Sequence, residues 1–362
     1  MQLSLCFLQI QTVLLTNLAI RLKIRISWYV NSMNNDLKTF DIASFGELLI
    51  DFTFQGISPN GQRLFAQNPG GAPANVLVSA QRLGARCAFL GKVGNDMHGC
   101  FLKQTLEQEK IDTKGLILDN KYFTTLAFVN INENGERSFS FARKPGADTQ
   151  MQQQDINLDI LKDTRIFHVG SLSLTDEPSR ATTFYAVKYA KENGSLISYD
   201  PNYRAALWEN EEIAQIRMRS LIPYADVMKI SDEETVLLTD ESDIEKAAKK
   251  LYEQGVKVIA VTLGSKGAYI YANNSGQYVA PLKCTVKDTN GAGDSFWGGF
   301  LYKLSKDKGN LNNLTDNELS SFAYFANAVA SLCVESAGAI PAMPYLAEVE
   351  ERLKNAGLDC CL

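Results

Sequence analysis

The feature that most constrains the fold is a regular alternation of short β-rich runs with amphipathic helical stretches, which begins at Asp41 and continues almost to the end of the chain. This pattern is typical of a sheet covered by helices on both faces. Core strands are predicted at Asp41–Asp51, Ala88–Val93, Arg165–Val169, Leu196–Asp200, Asp226–Ile230 and Val256–Thr262. Helices are predicted at Ala74–Leu83, Pro178–Asn193, Ser242–Gln254, Asp294–Leu304, Asp316–Cys333 and Tyr345–Lys354. We therefore expect an α/β fold with a mostly parallel central sheet.

Two segments interrupt this alternation, at residues 52–68 and about 122–142. In the second segment, the runs LAFVNI and RSFSF flank the turn NENG, which is a hairpin signal. We expect the two segments to form a small β-sheet lid that stands off the main domain and covers a cleft. Exposed apolar residues on such a lid would favour a homodimer that pairs through it.

Composition excludes several classes of partner. The 362 residues carry a net charge of -5 without a basic stripe, so nucleic acid is not an expected partner. The apolar start from Leu3 to Ile20 lacks the features of a signal peptide and contains too many polar residues for a membrane span. Residues 1–32 are interpreted as a dispensable or disordered extension, and residues 33–362 as the working domain. Seven cysteines without a CxxC pair, and only two histidines, predict neither a disulfide framework nor a zinc site, which favours the cytoplasm.

The segment DTNGAGDSFWGGF, at residues 288–300, is the most informative motif. Gly291, Ala292 and Gly293 lead into a helix expected to start at Asp294. Small residues let backbone N–H groups converge, and the helix dipole adds positive potential, so the segment predicts an anion hole. Beside it, Asp294 could accept a proton from a hydroxyl during phosphoryl transfer. Taken alone, the segment is also compatible with a glycine-rich turn that Asp294 merely caps.

Two stretches resemble the signatures of the carbohydrate kinase family of the ribokinase-like fold, which includes ribokinase and fructokinase. They are VKDTNGAGDSFWGGFL and NPGGAPANVLVSAQRLGARCAFLGKVGNDMHG, and Asn290 is a mild departure from the pattern. The resemblance implies a ribokinase-like fold with Asp294 as catalytic base, and Asp288 as part of a monovalent cation site. It also implies a set of contacts to a sugar, namely Asp51, Gly70, Gly71, Asn75 and Arg143.

The resemblance extends to a nucleotide side. In MKISDEE, Ser231 and Glu234 are similar to the family's NxxE motif, with Ser in place of Asn, and Glu234 is expected to position Mg²⁺ through water. In VTLGSKG and FANAVAS, further residues resemble those that support the ribose, phosphate and adenine of ATP. They are Thr262, Gly264, Gly267 and Asn327.

The resemblance as a whole implies ATP-dependent phosphorylation of a sugar, with Mg²⁺ and K⁺ as cofactors. The segments GELLIDF, FARKPGADT and SYDPNYRAALW look most like those of family members that phosphorylate fructose at O6. A 2-keto-3-deoxygluconate kinase, a ribokinase and a non-catalytic member that binds sugar or nucleotide remain as alternatives.

Overall fold

Strands and helices alternate throughout the computed structural model, which describes residues 38–131, 137–307, 311 and 313–361. The strands are β1 Phe40–Phe45, β2 Leu49–Ile57, β3 Arg63–Gly70, β4 Cys87–Gly94, β5 Asp112–Asp119, β6 Leu126–Ile131, β7 Arg137–Ala142, β8 Thr164–Gly170, β9 Leu196–Asp200, β10 Val227–Ser231, β11 Val258–Thr262, β12 Ala268–Ala272 and β13 Ser275–Val279. The α-helices are α1 Ala72–Arg82, α2 Met97–Gln108, α3 Leu158–Lys162, α4 Ser179–Glu192, α5 Glu211–Leu221, α6 Glu234–Thr239, α7 Ile244–Glu253, α8 Ala292–Lys306, α9 Asp316–Cys333 and α10 Leu346–Asn355.

Nine of the strands form the central sheet, in the order β13-β12-β11-β10-β9-β8-β1-β4-β5. Neighbouring strands run parallel from β11 to β5, whereas β12 and β13 are added as an antiparallel edge. The remaining four strands form a separate small sheet in the order β3-β2-β6-β7. The predicted fold class, a mostly parallel sheet with helices and a small extra sheet, is confirmed.

The two faces of the central sheet are buried under different helices. Successive side chains of a strand point to opposite faces, so Ile42 and Ala43 of β1 enter different clusters. Ile42 belongs to a cluster with Leu77 of α1 and Trp297 of α8, and Ala43 to a cluster with Val187 of α4. Strands covered on both faces need apolar residues throughout, which explains why β11 reads VIAVT.

The prediction of one strand from Asp41 to Asp51 is wrong. The chain leaves the central sheet after Phe45, turns at residues 46–48, and enters the small sheet as β2. Both runs are apolar and Leu48 is itself buried, so hydrophobicity alone does not reveal the turn. Glu47 stabilises it, since its Oε1 accepts a hydrogen bond from the backbone N–H of Ala72 at 3.0 Å. Asp51 therefore lies within a strand of the small sheet, not at the end of a core strand.

Some predictions fall outside the described residues, namely the extension 1–32 and the turn NENG at 132–135. Residues Thr39–Leu362 form a compact unit. Within the part of the chain that the structure describes, no helix is long and apolar enough to cross a membrane.

Candidate active site

The start of α8 brings the predicted anion hole and base together. The helix begins at Ala292, earlier than the expected Asp294, so Asp294 lies in its first turn and is only 8% exposed. Gly291 precedes the helix in the left-handed region with φ of 76°, and a Cβ there would lie 2.9 Å from the Cβ of Ala339. The first N–H groups of a helix have no partner within it, so the turn formed by Gly291, Ala292 and Gly293 gives positive potential beside Asp294.

Two amide side chains orient the carboxylate of Asp294. Asn75, in the first turns of α1, donates from Nδ2 to Oδ2 of Asp294 at 2.7 Å. Asn202, which follows β9, donates from Nδ2 to Oδ1 at 3.3 Å. The Oδ1 of Asn75 is buried and has no hydrogen-bond partner among the described residues, so it can accept from a ligand hydroxyl. Asn75, predicted as a sugar contact, thus also holds the predicted base.

Asp51 of β2 lies close to Gly70, the last residue of β3, and Gly71 follows as the residue before α1. A Cβ at Gly70 would lie 2.3 Å from Oδ2 of Asp51, and a Cβ at Gly71 would lie 2.4 Å from the carbonyl oxygen of Glu47. A side chain at Gly70 would therefore fill the space beside Asp51, and one at Gly71 would collide with the backbone of the turn after β1. Burial raises the pKa of Asp51 to about 6; the nearby charge of Arg204 lowers it and that of Asp294 raises it. The charge of Asp294 thus acts on the Asp51 carboxyl, as expected if the two belong to the same predicted site.

Arg143 differs from the other predicted sugar contacts, because its guanidinium group is already engaged. Its Nε donates to Oδ2 of Asp148 at 2.8 Å, its Nη1 to Oγ1 of Thr175 at 2.8 Å and its Nη2 to the carbonyl of Leu172 at 2.9 Å. The side chain is 4% exposed. These contacts connect the end of the small sheet to the loop after β8. The direct contact of Arg143 with sugar stays a prediction.

On the nucleotide side, the structure brings Ser231, Glu234 and Thr262 together. Ser231 ends β10 and pairs with Thr262 at the end of the neighbouring β11. Glu234 accepts from the backbone N–H of Ser231 at 2.8 Å and from that of Tyr203 at 2.7 Å. The carboxyl ends of parallel strands are where ligands of open α/β sheets usually bind.

Gly267 and Asn327 meet around the end of β13. A Cβ at Gly267 would lie 2.1 Å from the carbonyl oxygen of Val279, and Nδ2 of Asn327 donates to the carbonyl of Ala280 at 2.9 Å. Gly264 begins the short turn that leads to Gly267. The residues predicted to contact adenine and ribose therefore lie around the same segment, the end of β13.

Asp288, the residue predicted for a monovalent cation site, connects the loop before α8 with the loop after α9. Its Oδ1 accepts from the N–H of Asn290 at 2.9 Å, and its Oδ2 accepts from the N–H of Gly338 at 2.9 Å. The loop before α8 and the loop after α9 are therefore held side by side next to the predicted anion hole.

Two charged residues behind the predicted anion hole, Asp200 and Lys229, were missed by the predictions from sequence. Asp200 ends β9, and its Oδ2 lies 2.9 Å from Nζ of Lys229 on β10. Burial lowers the pKa of Lys229, but the charges of Asp200, Glu234 and Asp294 outweigh it and raise that pKa above the usual lysine value. Lys229 is the one charged residue in the strand VMKIS, and a charge in a buried strand is a signal that could have found it.

The donor set fits Mg²⁺ held mainly by water and phosphate. In the described part of the chain, no three His, Cys, Asp or Glu side chains are grouped so that they could hold a metal directly. Mg²⁺ often binds through one or two carboxylates, with waters and substrate phosphates as the other ligands. Each oxygen of Glu234 accepts one backbone N–H and retains capacity to accept from a metal-bound water.

Comparison with protein families gives one match to most of the chain. Residues 39–346 match the family described as pfkB family carbohydrate kinase. Among curated proteins, the chain is 41% identical over 317 residues to probable fructokinase-4 of Arabidopsis thaliana, covering 87% of this chain and 97% of that protein.

Solved structures with similar folds contain ligands. A fructokinase of Xylella fastidiosa with bound ATP has a TM-score of 0.81 and 34% identity, over 88% of this chain and 99% of that one. A fructokinase of Vibrio cholerae with fructose, ADP and calcium ion has a TM-score of 0.77 and 36% identity, over 86% and 98% of the two chains. A double mutant of the Vibrio cholerae protein was solved with fructose, ADP and potassium ion.

Proposed function

The chain belongs to the pfkB family of carbohydrate kinases, and we propose that it transfers the γ-phosphoryl group of ATP to D-fructose, giving fructose 6-phosphate. The observation that carries this proposal is the position of Asp294, in the first turn of α8 and oriented by two amides. The fructokinases that resemble the chain, two of them solved with fructose or ATP, support the choice of sugar and nucleotide.

The chemistry follows from the positions of these groups. The fructose hydroxyl lies between Asp51, which accepts hydrogen bonds from the sugar, and Asp294, which takes the hydroxyl proton as the oxygen attacks phosphorus. N–H groups at the start of α8 stabilise the negative charge on the phosphoryl oxygens. The small sheet closes over the sugar and excludes water, which would otherwise compete as acceptor.

A panel of acceptors tests the substrate. Release of ADP is measured with fructose, ribose, glucose, 2-keto-3-deoxygluconate and adenosine, with Asp294→Asn as the control for contaminating kinases. We expect kcat/KM to be highest for fructose. A higher value for ribose or 2-keto-3-deoxygluconate would replace the proposed substrate by one of the alternatives. If no acceptor stimulated ADP release, the chain would be a non-catalytic member.

Two cations complete the proposal. Glu234 would hold a water-bound Mg²⁺ near the nucleotide phosphates, and Asp288 would favour K⁺ beside the anion hole. A metal neutralises the charge of the phosphates when it is bound. The Vibrio cholerae structures with calcium and potassium ions support metal binding in the family.

A reducing compartment such as the cytoplasm stays a prediction. All six cysteines that the structure describes are free thiols.

The small sheet is the proposed dimer surface. Its aromatic residues pack together. The rings of Phe52 and Phe128 are stacked with their centroids 5.3 Å apart, and the centroid of the Phe65 ring lies 6.2 Å from that of Phe128. Nearby Ile57 and Leu64 are 66% and 47% exposed. Adjacent apolar groups at a sheet surface favour pairing with a second copy. Analytical ultracentrifugation should show a dimer that Leu64→Glu dissociates; a wild-type monomer at assay concentrations would refute this part.

A further inference from the structure

A lysine is buried behind the anion hole, where an apolar residue would satisfy the fold. Lys229 lies on β10 near the centre of the sheet, and its side chain is 6% exposed. Asp200, 2% exposed, is its ion-pair partner at 2.9 Å. A buried charge is costly to stability even when it is paired. Stability therefore gives no reason for the lysine, and its surroundings indicate what it does.

The ammonium group of Lys229 lies against the first turn of α8. A Cβ built on Gly293 would be 2.9 Å from Nζ of Lys229 and 3.5 Å from its Cε. A side chain at position 293 would therefore meet the ammonium group of the lysine. The ammonium and the N–H groups of the helix start thus add positive potential at the same place.

The same lysine also lines a cavity on the nucleotide side. This cavity has a volume of about 240 Å³, and Asn202, Ser231 and Glu234 also line it. Lys229 therefore lies between two regions already assigned, the anion hole and the nucleotide side. A phosphoryl group that moves from ATP to the sugar must cross this boundary.

We propose that Lys229 is a further catalytic residue, whose ammonium contacts the transferring phosphoryl group and stabilises the charge on its oxygens. This inference rests on the proposed function. In the step concerned, the bond from the sugar oxygen to phosphorus forms while the bond to the bridging oxygen breaks, and its electron pair remains on ADP. The hydroxyl proton passes to Asp294, and Lys229 keeps its three protons. Charge spreads over the equatorial oxygens in such a transition state, so a fixed cation stabilises it more than the bound ATP.

The test compares a mimic of the transferring group with the product nucleotide. Binding of ADP with aluminium fluoride and of ADP alone is measured by titration calorimetry, with Mg²⁺ present, for the wild type and for Lys229→Gln. Loss of one charged or polar donor at such a site reduces rate by about 10²–10³-fold. We expect the preference for the fluoroaluminate complex, and the single-turnover rate with fructose, to fall by a comparable factor, while the KM for fructose changes by less than about threefold.

Lys92 offers a matched control. It is also a buried lysine of the central sheet, 8% exposed, and its Nζ lies 2.7 Å from Oδ2 of Asp155. Lys92→Gln should lower the melting temperature as Lys229→Gln does, because each leaves a carboxylate without its cation. Only Lys229→Gln should lose the preference for the fluoroaluminate complex. Equal behaviour of the two variants in binding would mean that Lys229 is structural.

If Lys229→Gln does not fold, a second pair of variants tests whether Lys229 stabilises the transferring phosphoryl group. Asp200→Asn combined with Lys229→Gln buries two neutral amides and no charge, and its reference is Asp200→Asn alone. We expect the double variant to lose the preference that the single variant retains. If both retain it, the inference is overturned. If the wild-type protein bound neither ADP alone nor ADP with aluminium fluoride, that result would instead contradict the proposed function.

Discussion

Replacement of Asp294 by Asn separates proton transfer from binding. Both carboxylate oxygens of Asp294 accept from amides, at 2.7 Å from Asn75 and 3.3 Å from Asn202. The new amide turns its NH₂ toward one of these donors, which removes one hydrogen bond. The side-chain amide of Asn75 can flip so that its Oδ1, which has no partner among the described residues, accepts a hydrogen bond from the new NH₂ group. We therefore expect the free energy of unfolding to fall by only about 1 kcal/mol.

Catalysis should fall much further than stability. A general base contributes about 10²–10⁴-fold in rate, which corresponds to ~3–5 kcal/mol at the transition state. The assay is single-turnover phosphoryl transfer to fructose, with the KM for fructose and the affinity for ATP measured in parallel. We expect the rate of transfer to fall by that factor while both binding parameters stay within about threefold.

Asp96→Asn is the control for loss of an acceptor at a helix start. Asp96 caps α2 by accepting from the N–H groups of His98 and Gly99, and it has no assigned role in the site. This variant should lower the melting temperature without changing the single-turnover rate. If Asp294→Asn kept more than about a tenth of the wild-type rate, with chemistry rate-limiting, Asp294 would not be the base.

Three further predictions concern pH, backbone and cations. Because burial raises the pKa of Asp51 to about 6, its ionised form is lost as pH falls through that value, and the KM for fructose should rise below it. The Asp51→Asn variant should show a high KM without this pH dependence. Gly291→Ala should reduce stability and rate more than Gly194→Ala, since both glycines have positive φ but only Gly291 meets Ala339; equal losses would exclude the contact as the cause. Replacing sodium by potassium should raise the rate and chelation of Mg²⁺ should abolish it, in the ADP-release assay; equal rates in the two salts would remove the monovalent site.

The pKa of Asp51 also implies a sign for stability. Its pKa in the folded chain lies above the ordinary value of 3.8, so the folded state holds the proton more tightly than the unfolded state. The contribution of Asp51 to stability therefore decreases as pH rises from about 4 to about 6. Asp51→Asn should flatten this part of the stability profile, as thermal melts at several pH values would show.

The parts of the fold that could be predicted are those with local signals. Alternating apolar runs and amphipathic helices predicted the layers, and the glycine-rich segment before Asp294 predicted the start of α8 to within one turn. The hairpin of β12 and β13 was missed, although Asn273 and Asn274 at its turn both have positive φ. Asparagine tolerates positive φ better than most residues, so this pair between two β-rich runs was a signal that could have indicated the turn.

The parts that could not be predicted depend on contacts between distant segments. Lys229 and Asp200 come together because β9 and β10 are neighbours in the sheet, an arrangement that no local pattern encodes. The double role of Asn75 depends in the same way on the packing of α1 beside α8. Glu47 fixes the turn between the two sheets only once the N-terminus of α1 is in place.

The central claim is tested most directly by the identity of the product. The chain is incubated with Mg²⁺, ATP and D-fructose, and the mixture is followed by phosphorus NMR. We expect a phosphomonoester on C6 of fructose to appear in step with ADP. Formation of ADP and inorganic phosphate alone, or a phosphate on another carbon, would contradict the account.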